Sequence, residues 1–297
     1  MRIGLDRKRK KIDIPKYFIY VLCGLLALVC LYPFWHVFMY SLSDSRQAMS
    51  GGIFLYPRGF SLLSWKMVLQ TRQLFIAFGN TMAKTAAGTA ISVVISCITA
   101  YPLSLPYFKG RRFCQGLIFF TMLFSGGIIP NYLLLRDLHM LDTFWVYVIP
   151  GAMSAYNMFI LKNFFCAIPE PLLESAMLDG ANHMQVLGKI VLPLSKAAIA
   201  TQVMFYGVAN WNSYMDGILY VNDPKLQLLQ VYLRKLINAT GAKSTLTTIS
   251  NLSGASAVTE ESVKMTVIAV TVLPVIILYV CLQKYFIKGT LVGSVKG

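Results

Sequence analysis

Acidic side chains are scarce in this chain of 297 residues. Twelve Asp and Glu stand against twenty-seven Lys and Arg, and the charged residues together make up 13%. A soluble domain carries about a quarter charged residues, so too little charge is present to cover a water-facing surface of this size. Histidine is rarer still, with three. The six cysteines form no C-x-x-C pair: Cys23, Cys30, Cys97 and Cys281 fall inside apolar runs, Cys114 begins one, and Cys166 sits in a loop. Packing is the role expected of them, not redox chemistry or metal binding. A polytopic membrane enzyme would need clustered acids, His or Cys at a membrane face, and no such spacing occurs. Also missing is a G-x-x-x-x-G-K-[ST] phosphate loop, the nearest fragment being Gly188-Lys189 followed by Ile190. ATP is therefore not expected to bind this chain. The net charge of +15 would suit nucleic acid, but its basic residues are spread through short loops, without a basic groove bearing interleaved aromatics.

What the chain has in abundance is apolar sequence. Hydrophobic residues make up 56%, and the mean hydropathy is +0.60. A membrane-crossing helix needs about twenty apolar residues. Six runs qualify: Tyr17–Tyr40, Ile76–Tyr101, Phe113–Leu135, Thr143–Leu161, Leu194–Tyr220 and Val263–Phe286. The fold expected is all-α and polytopic, with six transmembrane helices broken by residues such as Pro33, Pro130, Pro150 and Pro274, which membrane helices tolerate. The first run follows "RKRKK" and, at about 24 apolar residues, exceeds a signal-peptide core, so it reads as an uncleaved anchor. Lys and Arg crowd the N-terminus (Arg2, Arg7, Lys8, Arg9, Lys10, Lys11, Lys16) and recur at Lys109, Arg111, Arg112, Lys162, Lys189, Lys196, Lys284, Lys288 and Lys296. The positive-inside rule then places both termini in the cytoplasm.

The expected organisation is a basic N-terminus at 1–16, a six-helix domain at 17–286 and a tail at 287–297. The long external segments would be 41–75 and 221–262. The second opens with "PKLQLLQVYLRKLI", an amphipathic helix candidate, and continues as a Ser/Thr/Gly-rich loop that either is disordered or meets a partner. Sequons at Asn238 and Asn251 are weak signals.

One stretch is out of character. "AIPEPLLESAMLDGANHMQVLGKIVLPL" (167–194) is polar, lies between two apolar runs, and on this topology is cytoplasmic. Pro169, Glu170 and Pro171 suit a first helical turn. Asp179-Gly180 ends that helix, with Gly180 in the left-handed cap. Asn182, three residues before Gln185, can cap a second. Leu172, Leu173, Ala176 and Met177 line one side of the first helix, and Leu187, Ile190, Val191 and Leu194 follow helical spacing in the second. So short a pair needs a surface to lie on, either the membrane interface or a soluble partner.

Glu174-Ser175-Ala176-Met177-Leu178-Asp179-Gly180-Ala181, followed by Ile190-Val191-Leu192-Pro193, resembles the "EAA" loop of binding-protein-dependent ABC importers, with Ser175 in place of the first Ala. Residues 124–165, "VANWNSY" (208–214) and the C-terminal "QKYFIKGTLVGSVKG" are similar to maltose-transporter-type sugar permeases, in the polysaccharide-transport subgroup that includes importers of alginate oligosaccharides. The resemblance runs from about residue 15 to the end.

It implies the permease fold of a type I ABC importer, resident in the cytoplasmic membrane and in contact with its lipid. It implies a second permease as heterodimer partner, a cytoplasmic ATPase dimer holding ATP and magnesium, and an extracytoplasmic solute-binding protein delivering an oligosaccharide. Residues 165–193 would be the coupling loop, with Glu174, Ser175, Ala176, Asp179, Gly180, Ala181, Leu192 and Pro193 in the ATPase contact and an apolar stripe filling a groove of the ATPase.

Polar residues inside the expected spans are candidates for the substrate path. Thr85, Thr89, Ser92, Ser96 and Thr99 share a helical face, which serves either the path or close helix packing. Gln202, Tyr206 and Asn210 share another, followed by Trp211, Asn212, Ser213, Tyr214 and Asp216. Amides and flat rings are what a sugar requires, although core packing and interfacial anchoring use the same residues. Lys84 either faces the cavity, where it would suit an acidic oligosaccharide, or snorkels to the interface. His36 shows no partner. An ion-coupled carrier would need coupling-ion sites or an inverted repeat, and neither is visible.

Overall fold

A computed structural model of the chain describes residues 14–237 and 258–294. The basic N-terminus through residue 13, both sequons with the Ser/Thr-rich stretch 238–257, and the last three residues lie outside that range. Among the described residues the architecture is helical, with one isolated bridge between Ser43 and Phe60.

Two compact units divide the chain. The first comprises residues 1–66 and 255–269. It holds α1 (Ile14–Ser41), α2 (Ser45–Ala48) and the first turns of α14 (Glu260–Ser294). Its core is small, with Tyr40, Ala48 and Phe54 packed with Met39 and Met265. Asp44 starts α2 by accepting from the backbone N–H groups of Arg46 and Gln47. The Trp35 indole donates to the Leu55 carbonyl at 3.0 Å, and the Arg58 guanidinium lies 4.6 Å over the Phe54 ring while donating to the Gly51 carbonyl. His36 has company after all: the Tyr32 hydroxyl lies 3.3 Å from its Nδ1, and its ring meets Phe54 edge-on at 5.1 Å.

The second unit, residues 67–254 and 270–297, is arranged about α4 (Arg72–Ser104), with α11 (Lys196–Asn212) and α7 (Ala155–Cys166) packed on it. Gly88 makes the α4–α11 approach possible, since a Cβ there would sit 3.0 Å from the Asn210 amide. Before it in the chain, α3 (Leu63–Gln70) leads into α4, while α5 (Arg111–Leu123) and α6 (Ile128–Asp137) follow it. The segment after residue 220 is pinned to the start of α4. Gln73 and Asn80 donate to carbonyls of Pro224, Lys225 and Gln227, and Thr81 accepts from the Leu229 N–H. The amphipathic helix expected there forms as α13 (Leu229–Ile237), burying Leu229, Val231, Tyr232 and Leu236.

Among the described residues, three helices are long and apolar enough to cross a membrane: Lys16–Ser41, Arg72–Ser104 and Glu260–Cys281. Two more crossings exist if each sharply bent pair counts as one. These are α5 with α6, bent by 111° around Gly127, and the His183–Leu194 helix with Lys196–Leu219, bent by 85°. The remaining expected span, Thr143–Leu161, is not a single helix. It resolves into a 3-10 turn (Phe144–Tyr147), an irregular passage through Pro150 and Gly151, and α7. Ser154 caps α7 by accepting from the Asn157 N–H. At about 1.5 Å per residue, twelve residues cover roughly 18 Å, short of the ~30 Å hydrocarbon core.

Candidate functional site

Between α7 and α11 the chain turns through a corner built of α8 (Glu170–Leu178), α9 (His183–Val186), a widened π turn (Leu187–Val191) and α10 (Leu192–Leu194). Each end is capped as its residues demand. Gly180 has φ +87°; its N–H donates to the Met177 carbonyl, and the Ala181 N–H to the Ala176 carbonyl, both at 3.0 Å. That pair of bonds is a Schellman motif, which closes a helix only if the residue after the cap is left-handed. A capping box opens α9: the Gln185 N–H donates to Asn182 Oδ1, and the Asn182 N–H to Gln185 Oε1, both at 2.9 Å. Pro193 has no N–H to offer the Lys189 carbonyl, and the preceding turn is the widened one.

The corner sits on the chain's own core. Leu173, Val186, Leu187 and Val191 are buried against Tyr101, Met158 and Phe165, with Ala176, Met177, Ile190 and Leu192 packed around them. Most of the apolar stripe expected to fill a partner's groove, namely Leu173, Ala176, Met177, Leu187, Ile190 and Val191, therefore points inward. Helical spacing was met, but the nearest apolar surface belongs to α4 and α7. What faces out is Leu172 and Leu194 of that stripe, at 47% and 60% exposure, together with Leu178 at 89% and Met184 at 67%. Glu174, Ser175, Asp179 and Pro193 are exposed as well, and Ala181 is half-buried. Behind α8 lies a cavity of about 250 Å³ lined by Tyr107, Arg111, Cys166, Glu170 and Glu174. Burial first, then the negative charge of Glu170 and Glu174, holds the Tyr107 phenol above its usual pKa.

The polar residues of the spans divide sharply. Gln202 is fully buried and donates to the Asn157 carbonyl at 3.0 Å. Tyr206 is buried too, its hydroxyl 2.8 Å from Ser96 Oγ and accepting from the Ser154 N–H. Trp211 donates to the Thr271 carbonyl and meets Phe78 edge-on. These three, expected along a path, are buried in contacts between helices, and Ser92 donates to the Gly151 carbonyl of the irregular passage at 3.5 Å. Thr85 and Thr89 line an apolar groove of about 480 Å³ with Gly207 and Leu278, and neither hydroxyl has a hydrogen-bond partner among the described residues. Asn212 is exposed.

Lys84 and Asn210 belong to another place. Lys84 is buried, and its Nζ lies 2.9 Å from Asp216 Oδ2 and 5.1 Å from the centre of the Tyr147 ring. It neither snorkels nor offers a free ammonium to a cavity: an acid 132 residues away neutralises it. Asp216 stands in α12 (Met215–Leu219) and also accepts from Ser213 Oγ at 2.6 Å. Beside the pair is a cavity of about 470 Å³ lined by Asn131, Tyr147, Gly151, Asn210, Asp216 and Tyr220. The pairing went unseen in the sequence, yet a signal existed. An intramembrane charge requires a partner, and Asp216 is the one acid within the six apolar runs.

A helical membrane chain with a doubly capped polar corner between broken helices fits a transport subunit. The chain belongs to the binding-protein-dependent transport system inner membrane component family, which it matches over residues 74–292. It is a multi-pass membrane permease and not an enzyme.

Among its relatives is the polygalacturonan/rhamnogalacturonan transport system permease protein YtcP of Bacillus subtilis (strain 168), 41% identical over 280 residues covering 94% of this chain and 97% of the relative. Protein LplC of the same organism is 36% identical over 285 residues, 94% of this chain and 95% of LplC. A crystal structure of a bacterial ABC transporter involved in the import of the acidic polysaccharide alginate contains a chain 32% identical. It superposes with a TM-score of 0.82 over 96% of this chain and 100% of that one.

Proposed function

We propose that this chain is one of two permeases in an ATP-driven importer that carries an oligosaccharide, with acidic sugar units among its residues, across the cytoplasmic membrane. The substrate class is supported by relatives named for polygalacturonan, rhamnogalacturonan and alginate transport. An extracytoplasmic binding protein delivers the sugar, and a cytoplasmic ATPase pair binds ATP and magnesium. Both termini and the 170–194 corner face the cytoplasm in this reading.

The observation that carries the coupling role is the outward face of the corner. Leu172, Leu178 and Met184 are exposed on a turn whose two helices are closed by independent caps. Three exposed apolar side chains on one turn, with Glu174 and Asp179 exposed among them, suit a groove of a soluble partner. ATPase closure would push on the corner, and helix packing through Leu173, Val186 and Val191 would pass the displacement to α4 and α7. The cavity would thereby open alternately to either side.

The test is copurification in mild detergent followed by uptake in proteoliposomes. The importer reading expects a stoichiometric ATPase with the wild-type chain. With Gly180→Pro, which removes the N–H that donates to Met177, the protein should still insert in the membrane but lose ATP-driven uptake. Full uptake by that variant, or a solitary wild-type protein, would sink the assignment.

A further inference from the structure

The Lys84–Asp216 pair is lopsided. Lys84 is 1% exposed and Asp216 39%, so a molecule entering the neighbouring cavity meets the carboxylate and not the ammonium. Both protein donors converge on one carboxylate oxygen: Lys84 Nζ and Ser213 Oγ reach Oδ2. The other oxygen, Oδ1, has no hydrogen-bond partner among the described residues. The same holds for the side-chain amides of Asn131 and Asn210, which line the cavity with it. Tyr220 adds a flat face, stacked with Tyr132 at 6.2 Å and 22°. The cavity's volume of about 470 Å³ falls in the usual range for small-molecule sites, about 300–1,000 Å³.

Chemistry then decides what fits. An ionised carboxylate only accepts hydrogen bonds, whereas an amide both donates and accepts. Sugar hydroxyls supply the donors that Oδ1 needs and the acceptors that the amide NH₂ groups need, and a pyranose C–H face suits the tyrosine ring. A uronate unit would bring a second carboxylate against Asp216 with no cation in reach, because Lys84 is already engaged behind it. Like charges brought together in a partly desolvated site repel.

We propose that this cavity is a carbohydrate subsite that seats a neutral, hydroxyl-rich sugar unit and disfavours one bearing a carboxylate. The inference rests on the oligosaccharide-importer reading and sharpens it. The chain recognises the pattern of charge along its substrate, with an uncharged unit seated beside Asp216. That is the reverse of what a lysine in a membrane span suggests for an acidic substrate.

The experiment compares galactobiose with digalacturonate, a neutral and an acidic disaccharide. Binding is measured by saturation-transfer NMR on the importer complex in nanodiscs at pH 7, without its binding protein. The wild type is expected to prefer galactobiose by about tenfold, a modest like-charge penalty. In Lys84→Met/Asp216→Asn, which removes both charges together, that preference should collapse. Asn131→Lys is a second variant at an exposed cavity position, so that a folding failure of the first does not decide the matter, and it should recover digalacturonate binding.

Equal binding of the two sugars to the wild type, a preference untouched by both variants, or no binding of either sugar would overturn the subsite. ATP-driven uptake, followed in parallel, reports on the importer reading separately. Uptake persisting while the subsite fails leaves the importer standing. Charge-sorted binding without ATP-driven uptake supports the subsite while removing the importer.

Discussion

The corner at 170–194 and the Lys84–Asp216 site are held by opposite means. Bonds that shape the corner span three to five residues: Gly180 to Met177, Ala181 to Ala176, and Asn182 with Gln185. The bond that closes the membrane site spans 132 residues and joins two helices. A locally closed element keeps its shape when its surroundings move, as a lever must. A site assembled from α4, α6, α12 and the Phe144–Gly151 passage changes shape whenever those elements shift, as a cavity in a transporter must. Rigidity is placed where force would enter, and adjustability where the sugar would sit.

That contrast can be broken in graded steps. The largest effect on the fold is expected at Asp216. Asp216→Leu strands a buried ammonium, and losing one partner of a buried pair costs about 3–5 kcal/mol. Asp216 is itself partly exposed, so we expect about 3 kcal/mol, read as a lower thermal transition in detergent. Adding Lys84→Met should restore most of the loss. If the single and double variants melt together, the pair is not holding α12 to α4.

Next comes Gly180. No atom lies within 4 Å of a Cβ built there, so Gly180→Ala meets no clash, only the left-handed conformation. That costs about 1–2 kcal/mol, concentrated in the corner. Hydrogen exchange should quicken over 176–186 while α4 and α11 keep wild-type protection. Uniform loss of protection would show that the corner is not an independent element. Asn182→Ala, which removes one half of the capping box, should have the same local signature at about 1 kcal/mol.

Locality also explains what could be read from residues alone. Gly180, Asn182 with Gln185, and the apolar spacing of 173–191 follow rules that act within a turn or two of helix, and the corner matches them. Periodicity likewise put Thr85, Thr89, Ser92 and Ser96 on one face of α4. It could not say what that face meets, which turns out to be Tyr206 for Ser96 and the Gly151 carbonyl for Ser92. Hydropathy counted Thr143–Leu161 as a span because apolar residues accumulate there. It did not register that Pro150-Gly151 lets the chain leave helical geometry before Ser154 restarts it. Lys84 was recognisable as a charge in need of a partner, but the choice of Asp216 depends on packing between helices distant in sequence.

The smallest expected effect on the fold is at Leu178, and it is the most discriminating. At 89% exposure its side chain contributes almost nothing to the chain's own core, so Leu178→Ser should leave the melting temperature and the hydrogen-exchange pattern unchanged, within about 0.5 kcal/mol. If the outward side chains Leu172, Leu178 and Met184 dock a partner, the same change removes an anchor from that interface, where truncations of anchors cost about 2 kcal/mol or more. ATPase retention on purification should then fall by more than about tenfold. Asn182→Ala loosens the corner without touching those side chains, so it should disturb exchange more than retention. Leu178→Ser should do the opposite. If both variants lose the ATPase in step with stability, the corner acts only as packing, and the separation between its inward and outward faces has no functional meaning.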